Sequence, residues 1–446
     1  MRFKATPLAL ATALVLCSSP SFAVDLLQSY TQARQSDPTL AISESQNSIS
    51  KEGVVQSRSS LLPQVSAQTG LTRNKSENNL QPSSTSTSRS SNISLTQSLF
   101  NWGNYTRLNG SQAREQQSNA ELDSANDSLI TRTAEAYFNV LTAIDALSAS
   151  RAEERAVKRQ LDQAETRLDV GLAPITDVHE AKARFDSSRA NTILAGNVLN
   201  DAREALAEIT GQPSVELKGL PDNYQPVSES TRGTEEWVQQ ALNSNPTVKA
   251  RELALVAAED DIASAKAAHL PTLDGSISYG DSALISGNVG VFSTTESNNT
   301  TYAVQLRVPI FSGFATQSRV RQAVDSRDIA AEQLEQSKRA ITRQVRNADR
   351  TLVAGLAEVE ARRLAVVSAK SALEAGEVGL EVGTRTIVDV LLAQQQLFNA
   401  AREYSRSRHN YLVNTLRLKQ ATGSLDVADV ESINRLLTAD AEQKIQ

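Results

Sequence analysis

The sequence is short of the residues on which most enzyme and metal chemistry depends. It has one cysteine, one methionine and three histidines among 446 residues, and only 4% of the chain is aromatic. Cys17 falls in the apolar N-terminal segment, so the rest of the chain can form no disulfide. His179, His269 and His409 are far apart in sequence, and no glycine-rich phosphate loop is present. We therefore predict that the protein is not an enzyme and that it holds no metal and no cofactor.

The chain also lacks an excess of positive charge and a long internal apolar run. After the first residues, no stretch has 18 uninterrupted apolar residues, so the sequence predicts no transmembrane helix. The N-terminal segment is different. It has Arg2 and Lys4, then an apolar stretch and Ser21-Phe22-Ala23, and this order is typical of a signal peptide over residues 1–23. Losing Arg2 and Lys4 leaves 43 of the 45 basic residues against 51 acidic ones, which argues against a nucleic-acid partner. We predict an exported protein.

The same pattern occurs twice in the remaining chain. Asp37-Pro38-Thr39-Leu40 recurs as Asn245-Pro246-Thr247-Val248, and Gly171 and Asp177 recur as Gly383 and Asp389. This repetition divides the chain into a signal peptide (1–23), a first repeat (24–211), a linker (212–233), a second repeat (234–423) and a polar C-terminal tail (424–446). Each repeat is predicted to contain a helix, a pair of strands and a long helical hairpin.

The strands are predicted from alternating polar and apolar residues. The strand pairs span residues 62–100 and 270–311, and each pair surrounds a segment rich in Ser, Thr and Asn, 75–91 and 281–299, which we expect to be a loop. Long polar loops between short alternating strands are typical of outer-membrane barrels. Four strands cannot close a barrel, and the smallest closed barrels have about eight strands, so two or three chains must share one.

Helical periodicity runs unbroken for an unusual length after each strand pair. The predicted hairpins cover residues 105–210 and 316–422, and the first repeat is expected to begin with one helix over residues 27–60. Apolar residues at heptad spacing, such as Val157, Leu161 and Ala164, predict that the long helices pack side by side. Gly171 and Gly383 mark the expected ends of the outgoing helices, because glycine favours the left-handed conformation found there.

Four motifs give the chain a resemblance to the TolC family of outer-membrane export ducts. They are Leu62-Pro63-Gln64 and the segments at residues 136–141, 170–178 and 382–390. The resemblance covers essentially all of the chain after the signal peptide. It implies an α+β membrane protein and a homotrimer, with a twelve-stranded outer-membrane β-barrel, a twelve-helix periplasmic α-barrel and a mixed α/β equatorial domain. The resemblance selects three chains where the strand count leaves two or three.

The function that the resemblance implies is a passive exit duct of tripartite efflux pumps or type I secretion systems. Its location would be the cell outer membrane, with a large periplasmic portion. The implied partners are outer-membrane lipid, a periplasmic adaptor (membrane fusion) protein and an inner-membrane pump of RND, ABC or MFS type. A soluble periplasmic coiled-coil adaptor is the alternative. It would explain the heptads, but it would not explain two strand pairs with long polar connections.

The candidate gate lies at the hairpin tips. The resemblance places Asp389 in the periplasmic entrance, where symmetry-related carboxylates would form a cation-selective ring. It also implies that Arg385 links to Thr176 and that Asp177 belongs to the same latch. A carboxylate in the first turn also favours the helix dipole, and we expect this role for Asp177.

Two positions depart from the family pattern. Leu380 stands where a tyrosine would bond to Asp177, and Leu392 stands where a second aspartate ring would lie. We therefore predict fewer polar latches and one carboxylate ring. The tips also resemble the family's docking site for the adaptor, although helix capping is a sufficient reason for their glycines; the docking positions are Val170, Gly171, Leu172, Val382, Gly383 and Thr384.

Overall fold

The computed structural model describes residues 24–78, 81–213, 216–226, 233–287 and 296–444. The predicted signal peptide and parts of the predicted linker lie outside the described residues. The helices are α1 (Leu26–Ser36), α2 (Pro38–Ser59), α3 (Trp102–Asp169), α4 (Ile175–Thr210), α5 (Thr234–Ser244), α6 (Pro246–Ala267), α7 (Ala315–Glu381), α8 (Ile387–Thr422) and α9 (Val427–Asn434). The strands are β1 (Gln64–Asn78), β2 (Gln81–Phe100), β3 (Lys218–Gly219), β4 (Thr272–Ser286), β5 (Glu296–Arg307) and β6 (Ala439–Asp440).

The helix expected over residues 27–60 is two helices, so that prediction was wrong. Pro38 has no backbone N–H to continue α1, and it occupies the first turn of α2 instead. The Asp37 carboxylate accepts a hydrogen bond from the Leu40 amide at 2.9 Å, which caps α2. The second repeat has the same break, with Asn245 as the cap before Pro246. The Asp-Pro and Asn-Pro pairs therefore divide both leading helices.

β1, β2, β4 and β5 form one antiparallel sheet in that order. The predicted polar loops, 75–91 and 281–299, were wrong over most of their described residues, and residues 79–80 and 288–295 lie outside the described ranges. β1 and β2 stay paired through Lys75 and Thr85 as far as Asn78 and Gln81, and β4 and β5 pair as far as Ala283 and Glu296. Threonine favours strands, and ladder hydrogen bonds do not require apolar side chains. The second strand pair stops at Arg307, short of the predicted 311, because Pro309 cannot donate to a ladder.

The two faces of this sheet differ in character. Successive side chains on a strand point to opposite faces. The register places apolar residues of neighbouring strands mostly beside one another on one face and polar residues beside one another on the other. We call one of these faces the apolar face, and it includes Val65, Ile93, Leu95, Ile277, Tyr279, Tyr302 and Val304. The opposite face is almost entirely polar; Ser66 and Ser94, for example, are hydrogen-bonded across β1 and β2 at 2.9 Å.

The two long hairpins were predicted correctly. α3 has 68 residues and α7 has 67, so each is about 100 Å long at 1.5 Å per residue. α4 packs on α3, and α8 packs on α7. The heptad residues Val157, Leu161 and Ala164 are buried, as expected. Among the described helices, none combines the length and apolar character needed to cross a membrane.

The main core lies where the short helices pack against the middle of the hairpins. Tyr137, Phe138 and Leu416 are fully buried there. The Tyr137 hydroxyl bonds to the carbonyls of Val24 and Lys218 at 3.1 and 2.6 Å, so it ties the start of the described chain to β3. Burial raises the pKa of Tyr137, which keeps the hydroxyl protonated as a donor. The C-terminal segment joins this region, because β6 pairs with β3.

Candidate functional site

Both hairpin tips have the same tight turn. Gly171 and Gly383 adopt φ angles of 76° and 78°, which confirms the predicted glycine caps. At the first tip, the N–H groups of Gly171 and Leu172 donate to the carbonyls of Leu168 and Arg167 at 2.9 and 2.7 Å. At the second, Gly383 and Thr384 repeat these bonds to carbonyls in the last turn of α7. This is the Schellman arrangement, and it leaves the tip residues facing solvent.

The returning helix α8 begins with a reciprocal cap between two side chains. The Thr386 hydroxyl accepts a hydrogen bond from the Asp389 amide at 3.3 Å, and the Asp389 carboxylate accepts from the backbone N–H and the hydroxyl of Thr386, both at 2.9 Å. These two bonds, helped by the positive charge of Arg385, hold the pKa of Asp389 below its usual range. Sequence reasoning missed Thr386, although the Thr-x-x-Asp spacing is a capping signal.

The first tip lacks this reciprocal cap. α4 begins after Pro174, whose side chain has no hydrogen-bond acceptor for the exposed amides. The Asp177 amide donates to the Pro174 carbonyl at 3.1 Å. Asp177 is half-buried in the first turn of α4, where its charge favours the helix dipole. The two copies of the tip have thus diverged in how the returning helix starts.

Arg385 lies beside the last turn of α7. Its backbone N–H donates to the Gly379 carbonyl at 3.1 Å, and its side chain covers the space where a Cβ of residue 379 would be. Arg385 and Thr176 are both exposed. Over the described ranges of one chain, no hydrogen bond or ion pair joins Arg385 to Thr176 or Asp177, so the latch stays a prediction.

An apolar cluster holds the two hairpins together just above the tips. Leu161 and Ala164 of α3 and Ala181 of α4 are buried against Ile387 and Leu391 of α8. We call this the tip cluster. Its members come from separate repeats, so heptad spacing within one hairpin does not reveal that the hairpins meet. The cluster therefore packs the two tips of one chain side by side.

The two leucines that depart from the family pattern have different surroundings. Leu380 is half-buried and packs against the tip cluster, so its contact at this position is apolar. Leu392 is 47% exposed on the surface of α8. Beside Leu380, a groove of about 750 Å³ opens between α3 and α7, and its walls carry charges of both signs: Arg159, Asp162, Arg167, Glu377 and Glu381.

The described part of the chain contains no group of three or more His, Cys, Asp and Glu side chains placed to hold a metal ion. Of the three histidines, His409 is buried, and its Nδ1 lies 2.9 Å from the Thr142 hydroxyl while its ring contacts Phe138. It lies in the main core between α3 and α8, far along the chain from the tips.

Comparison with known proteins agrees with this geometry. The family model for "Outer membrane efflux protein" matches residues 29–212 and 237–424. The chain is 37% identical to outer membrane protein TolC of Vibrio cholerae over 97% of this chain and 98% of that protein. It is 27% identical to the alkaline protease secretion protein AprF of Pseudomonas aeruginosa, covering 94% and 89%. The solved structure of outer membrane protein VceC from Vibrio cholerae has a TM-score of 0.74 at 18% identity, covering 90% and 96%.

Proposed function

Because the chain belongs to the outer membrane efflux protein family, we propose how its tips gate the duct and which partners it engages. The chain is a subunit of an outer-membrane channel with a large periplasmic part, and the channel serves efflux and type I secretion. The alternative of a soluble periplasmic adaptor was wrong, since the relatives and the fold are those of outer-membrane channels. We assign no catalytic step to this duct and infer that an inner-membrane pump supplies the energy.

The channel is a homotrimer. β1 and β5 are edge strands of the described sheet, and each leaves one row of backbone groups without a strand partner. Such edges are removed when the sheet of one chain continues into the next, and three chains give a closed barrel of twelve strands. Mass measurement of the detergent-solubilised protein tests this directly, and a dimer would contradict it.

The repeat boundaries define the structural parts of each subunit. We assign residues 24–211 and 234–423 to two equivalent units, each with one strand pair and one hairpin, and residues 212–233 and 424–446 to the equatorial region. The pairing of β3 with β6 supports this last assignment, because it joins the linker to the C-terminal tail beside the main core. Each trimer would then present six hairpin tips to the periplasm.

The gate is formed by Asp389, Arg385, Thr176 and Asp177. The observation that carries this proposal is the pair of joined tips, in which the lowered pKa of Asp389 keeps a negative charge at the start of α8 while Arg385 stays exposed. Three Asp389 carboxylates around the axis would attract cations, and links between Arg385 and Thr176 would hold the tips inward. Opening would break those links.

Arg385→Ser tests the latch. We expect a higher single-channel conductance in planar bilayers, because the closed tip loses a polar link. The matched control is Arg339→Ser, which removes the same charge from an exposed site on α7 where Arg339 pairs with Glu335 of its own helix. An unaltered closed pore in Arg385→Ser, or an equal increase in both variants, would contradict the latch.

The exposed tips dock a periplasmic adaptor. Val170, Leu172 and Val382 are 64%, 74% and 68% exposed at the two joined tips, so they offer an apolar surface that a partner can cover. Gly171, Gly383 and Thr384 complete the same surface. Leu172→Cys and Thr384→Cys should crosslink to an adaptor hairpin, while Ile329→Cys, an apolar site that is 59% exposed in the first quarter of α7 and far from the tip, should not. Equal crosslinking from all three sites would contradict specific docking.

A further inference from the structure

The apolar face of the sheet meets a polar row, which we call the boundary, towards the hairpin turns, although Leu71 and Ala283 lie one row beyond it on the same face. Across the sheet, Ala67, Ile93, Tyr279 and Thr300 form one row, and the next row towards the turns is Thr69, Ser91, Asp281 and Asn298. Rows on one face are two residues apart, or about 7 Å along a strand. With the helices on the periplasmic side, which rests on the proposed function, this boundary lies at the outer leaflet.

A shallow cavity of about 300 Å³ lies across this boundary. Its floor includes Ala67, Ile93 and Tyr279, and its rim includes the hydroxyls of Thr69 and Ser91, which lie 3.0 Å apart, and the carboxylate of Asp281. The apolar floor suits hydrocarbon, and the polar rim suits a hydrophilic head. A surface of this composition fits a molecule that is itself amphipathic.

Basic side chains lie immediately beyond the cavity on the same face. Arg89 pairs with Leu71 in the register, and Arg73 pairs with Thr87, so the two arginines are diagonal neighbours across β1 and β2. Arg89 donates to the Asp281 carboxylate at 3.1 Å, and the side chains of this pair are 52% and 30% exposed. Arg73 forms no ion pair within the described ranges. Arg73 therefore has a charge that no described carboxylate contacts, while Glu296 lies in the same row as Arg89, two strands away.

We propose that Arg73, Arg89 and the cavity below them form a binding site for a phosphate-bearing lipid of the outer leaflet. The guanidinium groups bind the headgroup phosphate, since planar forked donors match phosphate oxygens. Of the hydrogen-bonded Thr69 and Ser91 hydroxyls, the one that accepts the bond between them donates its own proton to a neighbouring headgroup oxygen. An acyl chain lies along Ala67, Ile93 and Tyr279, in continuity with the apolar face.

Asp281 sets the affinity of this site. Its carboxylate occupies one of the Arg89 donors, so it competes with a phosphate for the same guanidinium. Removing that charge frees Arg89 for the lipid. Substituting Arg89 should therefore weaken lipid binding, and substituting Asp281, which contacts it, should strengthen lipid binding. General damage to the sheet would not produce opposite effects.

The test is lipid binding by the detergent-solubilised full-length channel, with lipid A as the probe and phosphatidylcholine as the neutral comparison. Arg73→Ala combined with Arg89→Ala should weaken lipid A binding by roughly tenfold, as expected for the loss of charge-assisted bonds. Asp281→Asn should bind lipid A more tightly than the unsubstituted chain. Arg307→Ala, at the other end of the sheet, should leave the affinity unchanged.

Several outcomes would overturn the proposal. Lipid A affinity that is equal in the double variant and the unsubstituted chain would do so, as would weaker binding in Asp281→Asn. Complete competition by inorganic phosphate at equal concentration would show a free-anion site. Single-channel conductance is recorded on the same samples: loss of lipid binding with conductance retained is the expected result, whereas an unsubstituted chain that forms no channel would contradict the proposed function itself.

Discussion

The Asp389 carboxylate accepts two hydrogen bonds from Thr386, one from its backbone N–H and one from its hydroxyl, both 2.9 Å long. The same contact caps α8 and keeps the carboxylate ionised, because both bonds favour the charged form. The structural role and the proposed ring of charge therefore do not exclude each other. A helix cap at the channel tip supplies the charge at a defined position.

Thr386→Val should raise the pH at which cation selectivity is lost. The substitution removes the hydroxyl donor, so the pKa of Asp389 moves back towards its usual value, and the ring loses its charge at a higher pH than in the unsubstituted channel. Reversal potentials across a salt gradient, recorded as the pH is lowered, measure this midpoint. Thr384→Val is the control, because the Thr384 hydroxyl donates to the Gly379 carbonyl and does not contact Asp389. Identical midpoints in both variants would contradict the contact.

Gly379→Ala should open the gate without altering any latch residue. A Cβ at this position would lie 2.7 Å from Cγ and 3.3 Å from Cβ of Arg385, so the Arg385 side chain must move. Because these atoms are close to the backbone, rotation at the end of the side chain cannot relieve the contact. We expect a conductance increase in planar bilayers approaching that of Arg385→Ser.

Gly376→Ala is the matched control for this substitution. It also adds one methyl group to α7, but its nearest neighbour outside the local helix would be a Val390 methyl group at 3.9 Å, an ordinary contact. Alanine is also the better helix former at both positions. If both variants left the conductance unchanged, the position of Arg385 would not control the gate.

Arg132→Met should destabilise the main core by about 2 kcal/mol, because it leaves the Asp37 carboxylate without its charge partner. Arg132 donates to both oxygens of Asp37, at 3.2 and 2.7 Å, and the Asp37 side chain is almost fully buried. Denaturant unfolding of the detergent-solubilised protein measures the loss. Arg339→Met is the control, since its exposed pair with Glu335 contributes at most about 0.5 kcal/mol. Equal losses would contradict the buried pair.

Asp37 also predicts a pH dependence of stability. Burial alone raises the pKa of Asp37, but the bonds from Arg132 and from the Leu40 amide outweigh it, so the pKa lies below its usual value. The stabilisation is therefore present above the ordinary aspartate pKa and is lost as the pH falls through the lowered value. Asp37→Asn keeps the cap, as Asn245 does in the second repeat, and should flatten the acid limb of this dependence. An unchanged acid limb would contradict the assignment.

Patterns among neighbouring residues predicted those parts of the fold that interactions between neighbouring residues determine. The heptads gave the long hairpins, and Gly171 and Gly383 gave their ends, because a left-handed residue after a helix is a property of a few neighbouring amides. The polar strand segments were missed because serine and threonine do not reveal whether a partner strand is present. Their pairing depends on the register between β1 and β2, which starts where Gln64 lies opposite Thr96.

The candidate site was only partly accessible from the sequence for a related reason. The capping spacing of Thr386 and Asp389 is visible in the sequence, whereas the tip cluster joins Leu161 to Ile387 and Leu391 across more than 200 residues. No pattern within one repeat predicts that contact. The packing of Leu380 against the tip cluster likewise depends on residues of the other hairpin, which the pattern around Leu380 does not reveal.

The central claim is that the start of α8 carries the charge that selects ions at the channel tip. Asp389→Asn tests it most directly, because asparagine retains a side-chain oxygen for the cap and removes the charge. Single-channel reversal potentials of the trimer in a salt gradient measure the cation preference. The account predicts that this preference falls sharply in Asp389→Asn while the channel still inserts and conducts. Cation preference equal to that of the unsubstituted channel would contradict it.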